Sequence, residues 1–209
     1  MIVTQDARGW THLDWELEGV TPDTIDWHWA NLEKSYFLWH PSQHIAFRWV
    51  VPLTAGGFLG AVHEASQLRD DGTRRAPNIR YEDIAALPRE VQDLVVYDHV
   101  CVDAALNLKE EPDVTKARPL GYRVHQWQSC DAGVVGRSSA VSLHVTDKEA
   151  ELREGRLWAA HAAEECGNWG VFLPELCRLW SVVPHSDIHQ KVSLKVHRVD
   201  GCVRYVDLK

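Results

Sequence analysis

The sequence predicts an α+β protein: a mainly antiparallel sheet with one long helix late in the chain. Three observations carry that reading. Residues 121–130 and 134–145 read as strands joined at Asp131-Ala132-Gly133, a hairpin signal. Residues 146–167 form the clearest helical stretch, because Thr146 can cap it and Glu149, three residues on, completes a capping box. Residues 192–205 hold two alternating runs around Asp200-Gly201, the strongest short hairpin signal in the chain. Neighbouring hairpins pair antiparallel, and a helix among them must bury one face on the sheet.

The remaining elements follow in order. The first twenty residues look irregular. Thr21-Pro22-Asp23 reads as a helix start, with Thr21 as cap, Pro22 at the first helical position and the helix running to about residue 35. His40-Pro41 breaks the next segment, since a residue before proline is pushed out of the α region. Residues 45–51 are apolar and partly β-branched, hence a strand; Gly56-Gly57 punctuates, and 58–65 reads as another strand. Residues 69–78 read as a polar loop, 84–94 as a short helix around Pro88, 94–108 as a strand-like run, and 109–118 as a charged loop.

Composition bounds the function. At 209 residues, with 45% apolar and 25% charged side chains, the chain is one globular domain, 1–209, ending in the C-terminal hairpin. The formal charge of −8 argues against broad nucleic-acid binding, which needs a basic face to displace counterions. No apolar run approaches the roughly 18 to 20 residues that span a bilayer, and no secretory signal is visible. Five scattered cysteines without a Cys-x-x-Cys pair read as reduced thiols, which points to a cytoplasmic protein. Ten tryptophans and twelve histidines are the unusual counts: the first suggests an aromatic pocket and the second metal or acid–base chemistry.

Four places could carry that chemistry. On the late helix Trp158, His161, Glu165, Trp169 and Phe172 recur at steps of three and four, so His161 and Glu165 can chelate one ion from one face. In the run 36–44, after Tyr36, His40 and His44 lie across a proline turn, and either can be a ligand or a satisfied core histidine. In the strand around His63-Glu64, alternation lets one of the two face a cavity but not both. His125 sits on a strand with Arg123 and Trp127 on its own face.

Together these segments resemble a family. The run 36–44, preceded by Ile25-Asp26-Trp27-His28-Trp29, is similar to the signature segment of 2,4-diacetylphloroglucinol hydrolases and their relatives, including phloretin hydrolase. The segment 161–165, followed by Asn168 and Leu173-Pro174-Glu175-Leu176, resembles that family's His-x-x-x-Glu zinc helix, and His125-Gln126 and Gly136-Arg137-Ser138-Ser139 fall between them in the same order. The resemblance covers roughly residues 21 to 180. It implies a START-like helix-grip fold, a curved antiparallel sheet around a long helix, with Zn(2+) in the cavity. It also implies hydrolysis of the carbon–carbon bond between an acyl group and a phenolic ring. Carried over residue by residue, the zinc ligands are His44, Glu64, His161 and Glu165, with Tyr36 a substrate-binding tyrosine and His125 a pocket histidine. Two features depart from the family: this chain lacks a long N-terminal extension, and Ala140-Val141-Ser142 stands where large aromatics are expected. The pocket is therefore differently shaped, and the phloroglucinol substrate does not carry over.

The expectation is a metal-dependent acyl-phenol hydrolase taking a small aromatic or polyketide-like substrate, with homo-oligomerisation left open. His125 would supply the proton that the ring carbon needs, Tyr36 would hold a phenol hydroxyl, and Glu164 or His63 stand next in line for those roles. The alternatives are a cyclase or lyase acting in the same metal-containing pocket, and a non-catalytic small-molecule binding protein.

Overall fold

Polar and apolar side chains alternate along residues 11–18, where Leu13, Trp15 and Leu17 are buried and Glu16 and Glu18 are exposed. That period of two makes a strand, β2 (Thr11–Glu18), paired antiparallel with β1 (Ile2–Gln5). The expectation of an irregular N-terminus is thus corrected; the alternation is short and its charged members obscure it. The computed structural model describes residues 1–53, 57–69, 71–143, 147–183, 190–206 and 208.

Thr21 caps the first helix as expected, accepting a bond from the Thr24 backbone while the Thr24 hydroxyl accepts one from Thr21. The expected helix to residue 35 is in fact two helices, α1 (Pro22–Ala30) and α2 (Leu32–Trp39). Asn31 breaks them at φ −133, its side-chain amide donating to the Trp27 and Gln190 carbonyls. There follow β3 (His44–Val51), β4 (Val62–Leu68), β5 (Arg74–Arg75), β6 (Asn78–Tyr81), a 3-10 turn at Ile84–Ala86, α3 (Arg89–Gln92), β7 (His99–Leu106), β8 (Pro119–Cys130) and β9 (Gly133–Ser142). The strand expected at 58–65 starts later than that, because Phe58 turns in to stack on Tyr81 at 4.1 Å. The loop expected at 69–78 contains the two-residue β5, and the run 94–108 narrows to β7.

The late helix, α4 (Lys148–Ser181), continues 14 residues past Gly167 and carries Pro174 inside it. Buried Trp169 and Leu173 hold this extension to the core, so tertiary packing overrides two poor helix formers. Asp147 is its cap, accepting from Glu149 and Ala150; Thr146, Val145 and Gly56 lie outside the described residues. At the chain end β10 (Val196–Val199) and β11 (Cys202–Tyr205) form the expected hairpin, with φ 49 at Asp200 and 77 at Gly201, as a two-residue turn of the primed type needs.

Among the described residues one sheet runs in the order β1-β2-β9-β8-β7-β6-β4-β3, with β5 on β4, every pair antiparallel. Helices α1, α2 and α4 cover one face, over a core of Leu13, Trp15, Trp29, Trp39, Trp127 and Trp169. Gly155 lets α4 press against β2, since a Cβ there would strike the Thr11 side chain. The other face is covered by the 3-10 turn, α3 and the C-terminal hairpin, over Ile84, Val91, Val100, Val124 and Val203. Arg198 locks that layer by donating to the Gln92 and Val95 carbonyls. The fold is START-like helix-grip: an antiparallel sheet held around one long late helix.

Candidate metal centre and ligand cavity

Between α4 and the sheet lies a cavity of about 680 Å³. Its wall includes Trp39, His40, Gln43, Asp103, Arg123, His125, Trp158, His161 and Glu165. Three of the resemblance's four ligands meet here. His44 arrives at the first position of β3, out of a turn in which its amide bonds the His40 carbonyl, while α4 presents His161 and Glu165 one turn apart. The ligating atoms of His44, His161 and Glu165 all lie within 4.8 Å of one another.

The hydrogen bonds fix which ring nitrogens are free. His44 Nδ1 is 2.7 Å from the Tyr36 carbonyl oxygen, which can only accept. His161 Nδ1 is 2.8 Å from Gln43 Oε1. Each Nδ1 therefore carries the proton, and in a neutral ring each Nε2 is a bare lone pair. Both Nε2 atoms face one carboxylate oxygen, Glu165 Oε1, at 3.2 and 3.1 Å. Buried His44 Nε2 has no well-formed hydrogen bond of its own. Three lone-pair donors facing a common point need a cation, either a proton or a metal. Burial pushes the Glu165 carboxyl up, but His161 and His44 outweigh it and hold it well below the usual range. Burial likewise lowers His161, and Glu165 more than reverses that.

This donor set suits a divalent first-row ion. Two imidazoles and a carboxylate would hold such an ion at the edge of the cavity. His40 borders the cluster, its ring stacked on His161 at 4.2 Å and its Nδ1 3.3 Å from exposed Glu164. Burial, then His161, lowers His40, and its Nε2 has no partner among the described residues.

Two expected site residues are placed elsewhere. Glu64 is not with the cluster: β4 alternates, so buried His63 points inward among Phe47, Trp49 and Tyr81 while Glu64 pairs with Arg48 at 2.8 Å on the outer face. Of the four residues expected as ligands, His44, His161 and Glu165 lie together and Glu64 stands apart. Tyr36 lies behind His44, rings parallel at 3.9 Å, its hydroxyl donating to the Ser66 carbonyl at 3.2 Å, so it buttresses His44 and is not among the residues that line the cavity. Burial, with Glu165, pushes its phenol far above the usual value.

His125 lines the cavity. Its Nδ1 is 2.9 Å from Ser138 Oγ, and its Nε2 faces Asp103 Oδ2 at 3.6 Å. Sequence reasoning missed Asp103 and Gln43. A lone carboxylate in the apolar run Val100-Cys101-Val102-Asp103-Ala104 was the available signal for Asp103; Gln43 carried none beyond standing next to His44.

Neither a protein family nor a curated protein matches the sequence. Solved structures do match the fold. Protein Ms6760 from Mycobacterium smegmatis superposes with a TM-score of 0.57 at 14% identity, over 84% of this chain and 98% of its own. A protein from Arthrobacter aurescens gives 0.54 at 10%, over 83% and 91%. The di-domain ARO/CYC StfQ from the steffimycin biosynthetic pathway gives 0.50 at 11%, over 81% of this chain and 52% of that one. Among the described residues no helix is long and apolar enough to cross a membrane. The five cysteines are unpaired.

Proposed function

We propose that the chain is a divalent-metal enzyme, zinc being the ion its ligands suit, acting on a carbonyl of an aromatic, polyketide-like compound held in the cavity. One observation carries this: two imidazole lone pairs, each fixed by a bond at the far side of its ring, converge on the Glu165 carboxylate. A divalent ion bound there supplies electrophilic polarisation of a carbonyl oxygen or acidification of a water. The chain's own residues do the rest. Trp39 and Trp158 give flat apolar walls for a ring, and His125, with Asp103 Oδ2 3.6 Å from its Nε2, lines the cavity where its ring can donate a proton to a ring carbon.

The fold likeness to StfQ supports a ring-forming or lyase reaction, a cyclase, as the first reading of the chemistry. A second reading, acyl-phenol hydrolysis, is supported by the motif resemblance. In that reaction the acyl carbon takes the hydroxyl of water, the ring carbon leaves with the bonding pair, and His125 returns the proton that pair needs.

Elemental analysis of the purified protein and of His161→Ala tests the metal. One divalent ion per chain in the parent and none in the variant is the expected result; full occupancy in the variant sinks the proposal. Mass spectrometry of acylated phenols and poly-ketone compounds then separates the reactions. Hydrolysis gives two products that together weigh one water more than the substrate, whereas cyclisation gives one product of equal mass or lighter by water. Tight binding with no turnover by the metal-loaded protein would leave only a binding function.

A further inference from the structure

Arg123 stands on the same face of β8 as His125, two residues before it, and lines the cavity. Among the described residues its one side-chain hydrogen bond runs from Nη1 to the carbonyl of its own neighbour, Tyr122, at 3.1 Å. Two carboxylates lie within electrostatic reach, and neither forms an ion pair with it among the described residues. Asp103, its register partner across the strands, turns to His125 at 3.6 Å, and Glu151 takes the Ser142 hydroxyl. The other cavity cations are spoken for or peripheral: Arg69 pairs with Glu154 at 3.2 Å, and Arg75 is exposed. Arg123 therefore keeps most of its five N–H donors without an acceptor among the described residues, in a half-enclosed place where an unpaired cation is costly.

We propose that the cavity takes its ligand by a carboxylate, seated on the Arg123 guanidinium, so that the substrates are aromatic carboxylic acids. The Arg123 guanidinium carbon lies over the Trp158 ring, 5.2 Å from its centroid, a cation–π contact that ties the side chain to α4. The planar guanidinium fork is the partner a carboxylate matches with two parallel hydrogen bonds. Trp158 also precedes His161 by three residues on α4, a rise of about 4.5 Å. The carboxylate seat and the His44/His161/Glu165 cluster are thus neighbours on one helix face, and one aromatic ligand can touch both. This names the substrate class for the cavity proposed above; it depends on that reading for the use of the cavity and not for the metal.

The test is calorimetric titration with naphthoate and with neutral naphthol, on protein treated with a chelator so that no ion can take the carboxylate. The parent protein should bind naphthoate about tenfold or more tighter than naphthol, and Arg123→Met should erase that preference while leaving naphthol affinity unchanged. Should Arg123→Met fail to fold by circular dichroism, Arg123→Lys gives the same reading, since it keeps the charge and loses the fork; a several-fold weaker naphthoate affinity is expected. No preference in the parent, or a preference intact in the variants, would overturn the proposal. So would naphthoate binding that appears only on adding metal, whereas failure of the metal reading registers separately in the elemental analysis.

Discussion

Strand β8 shows two proteins back to back. Its odd positions Arg123, His125 and Trp127 face the helices, and the first two line the cavity. Its even positions Tyr122 and Val124 face the second core, with Gln126 bonded to the backbone at Leu94 and Val96. On the back face Gln92, Gln126 and Arg198 all bond backbone groups, as a structural layer requires, and only the buried Tyr205 hydroxyl lacks a partner among the described residues. On the cavity face several polar atoms lack good partners among the described residues: Arg123 has one neighbouring carbonyl, His125 Nε2 faces a carboxylate 3.6 Å away, and His44 Nε2 has no well-formed bond. The difference teaches where to look for chemistry, since unsatisfied polarity concentrated on one face of a well-satisfied sheet has an external partner to explain it.

The largest effect that sharpens this contrast is at the metal cluster. His161→Ala should lose the ion and reduce turnover of an accepted substrate by about 1,000-fold, the several kcal/mol that a polarising cation contributes. Its thermal unfolding should stay close to that of the parent, because His161 is half-buried at the cavity wall. Unfolding with the metal still counted in the native protein would mean the cluster is structural.

Two adjacent residues give the most direct way to break the comparison. His125→Ala should keep fold and metal and lower turnover about 100-fold, the size expected for a lost acid–base group. Val124→Ala should do the reverse, costing about 2 kcal/mol of stability through the hole it leaves in the second core while metal content and turnover hold. Chemical denaturation and a rate assay on both variants read it. If both lose stability alike and neither loses rate, the two faces are not functionally distinct.

A smaller effect is expected where a ring is oriented and not ligated. Gln43→Ala removes the acceptor that sets the His161 tautomer, and metal affinity should fall about 10- to 100-fold with the ion still bindable at higher concentration. Competitive chelator titration measures this; an unchanged affinity would assign the tautomer to another cause.

How much of this was legible in the sequence follows the same two faces. The hairpin at 131–133, the hairpin at 200–201 and the late helix were readable because turn residues and period carry them locally. His161 and Glu165 were readable as a pair because helical spacing alone aligns them. The choice between His63 and Glu64 was not, because alternation says that one faces inward and only the register of β3 on β4, with Arg48 waiting opposite Glu64, says which. The length of α4 was hidden for a related reason: Gly167, Gly170 and Pro174 argue for stopping, and what overrides them is Trp169 packed on Trp15 and Trp39 from distant parts of the chain. Asp103 escaped notice because its meaning lies in His125, a strand away.

The last predicted effect is a pH dependence on the cavity side of the sheet. His63, fully inside among Phe47, Trp49 and Tyr81, is pulled by burial from its ordinary 6.5 down to about 4, Asp103 opposing this in part and His44 adding to it. Near neutral pH its ring is uncharged in the folded protein, and Nδ1 has no partner among the described residues. The unfolded chain takes up this proton near pH 6.5, and the folded chain only near pH 4. Between those values the unfolded state holds more protons, so stability falls as the solution is acidified, by up to about 1.4 kcal/mol per pH unit from this one group. Above pH 6.5 the contribution is complete and flat. His63→Phe keeps the aromatic packing and removes the titration, so its denaturation midpoint should fall less steeply than the parent's between pH 6.5 and 4 and run parallel to it above pH 7. Parallel curves across the whole range would show that His63 charges equally easily in both states, and that the inward face of β4 is wetter than its neighbours Phe47 and Tyr81 imply.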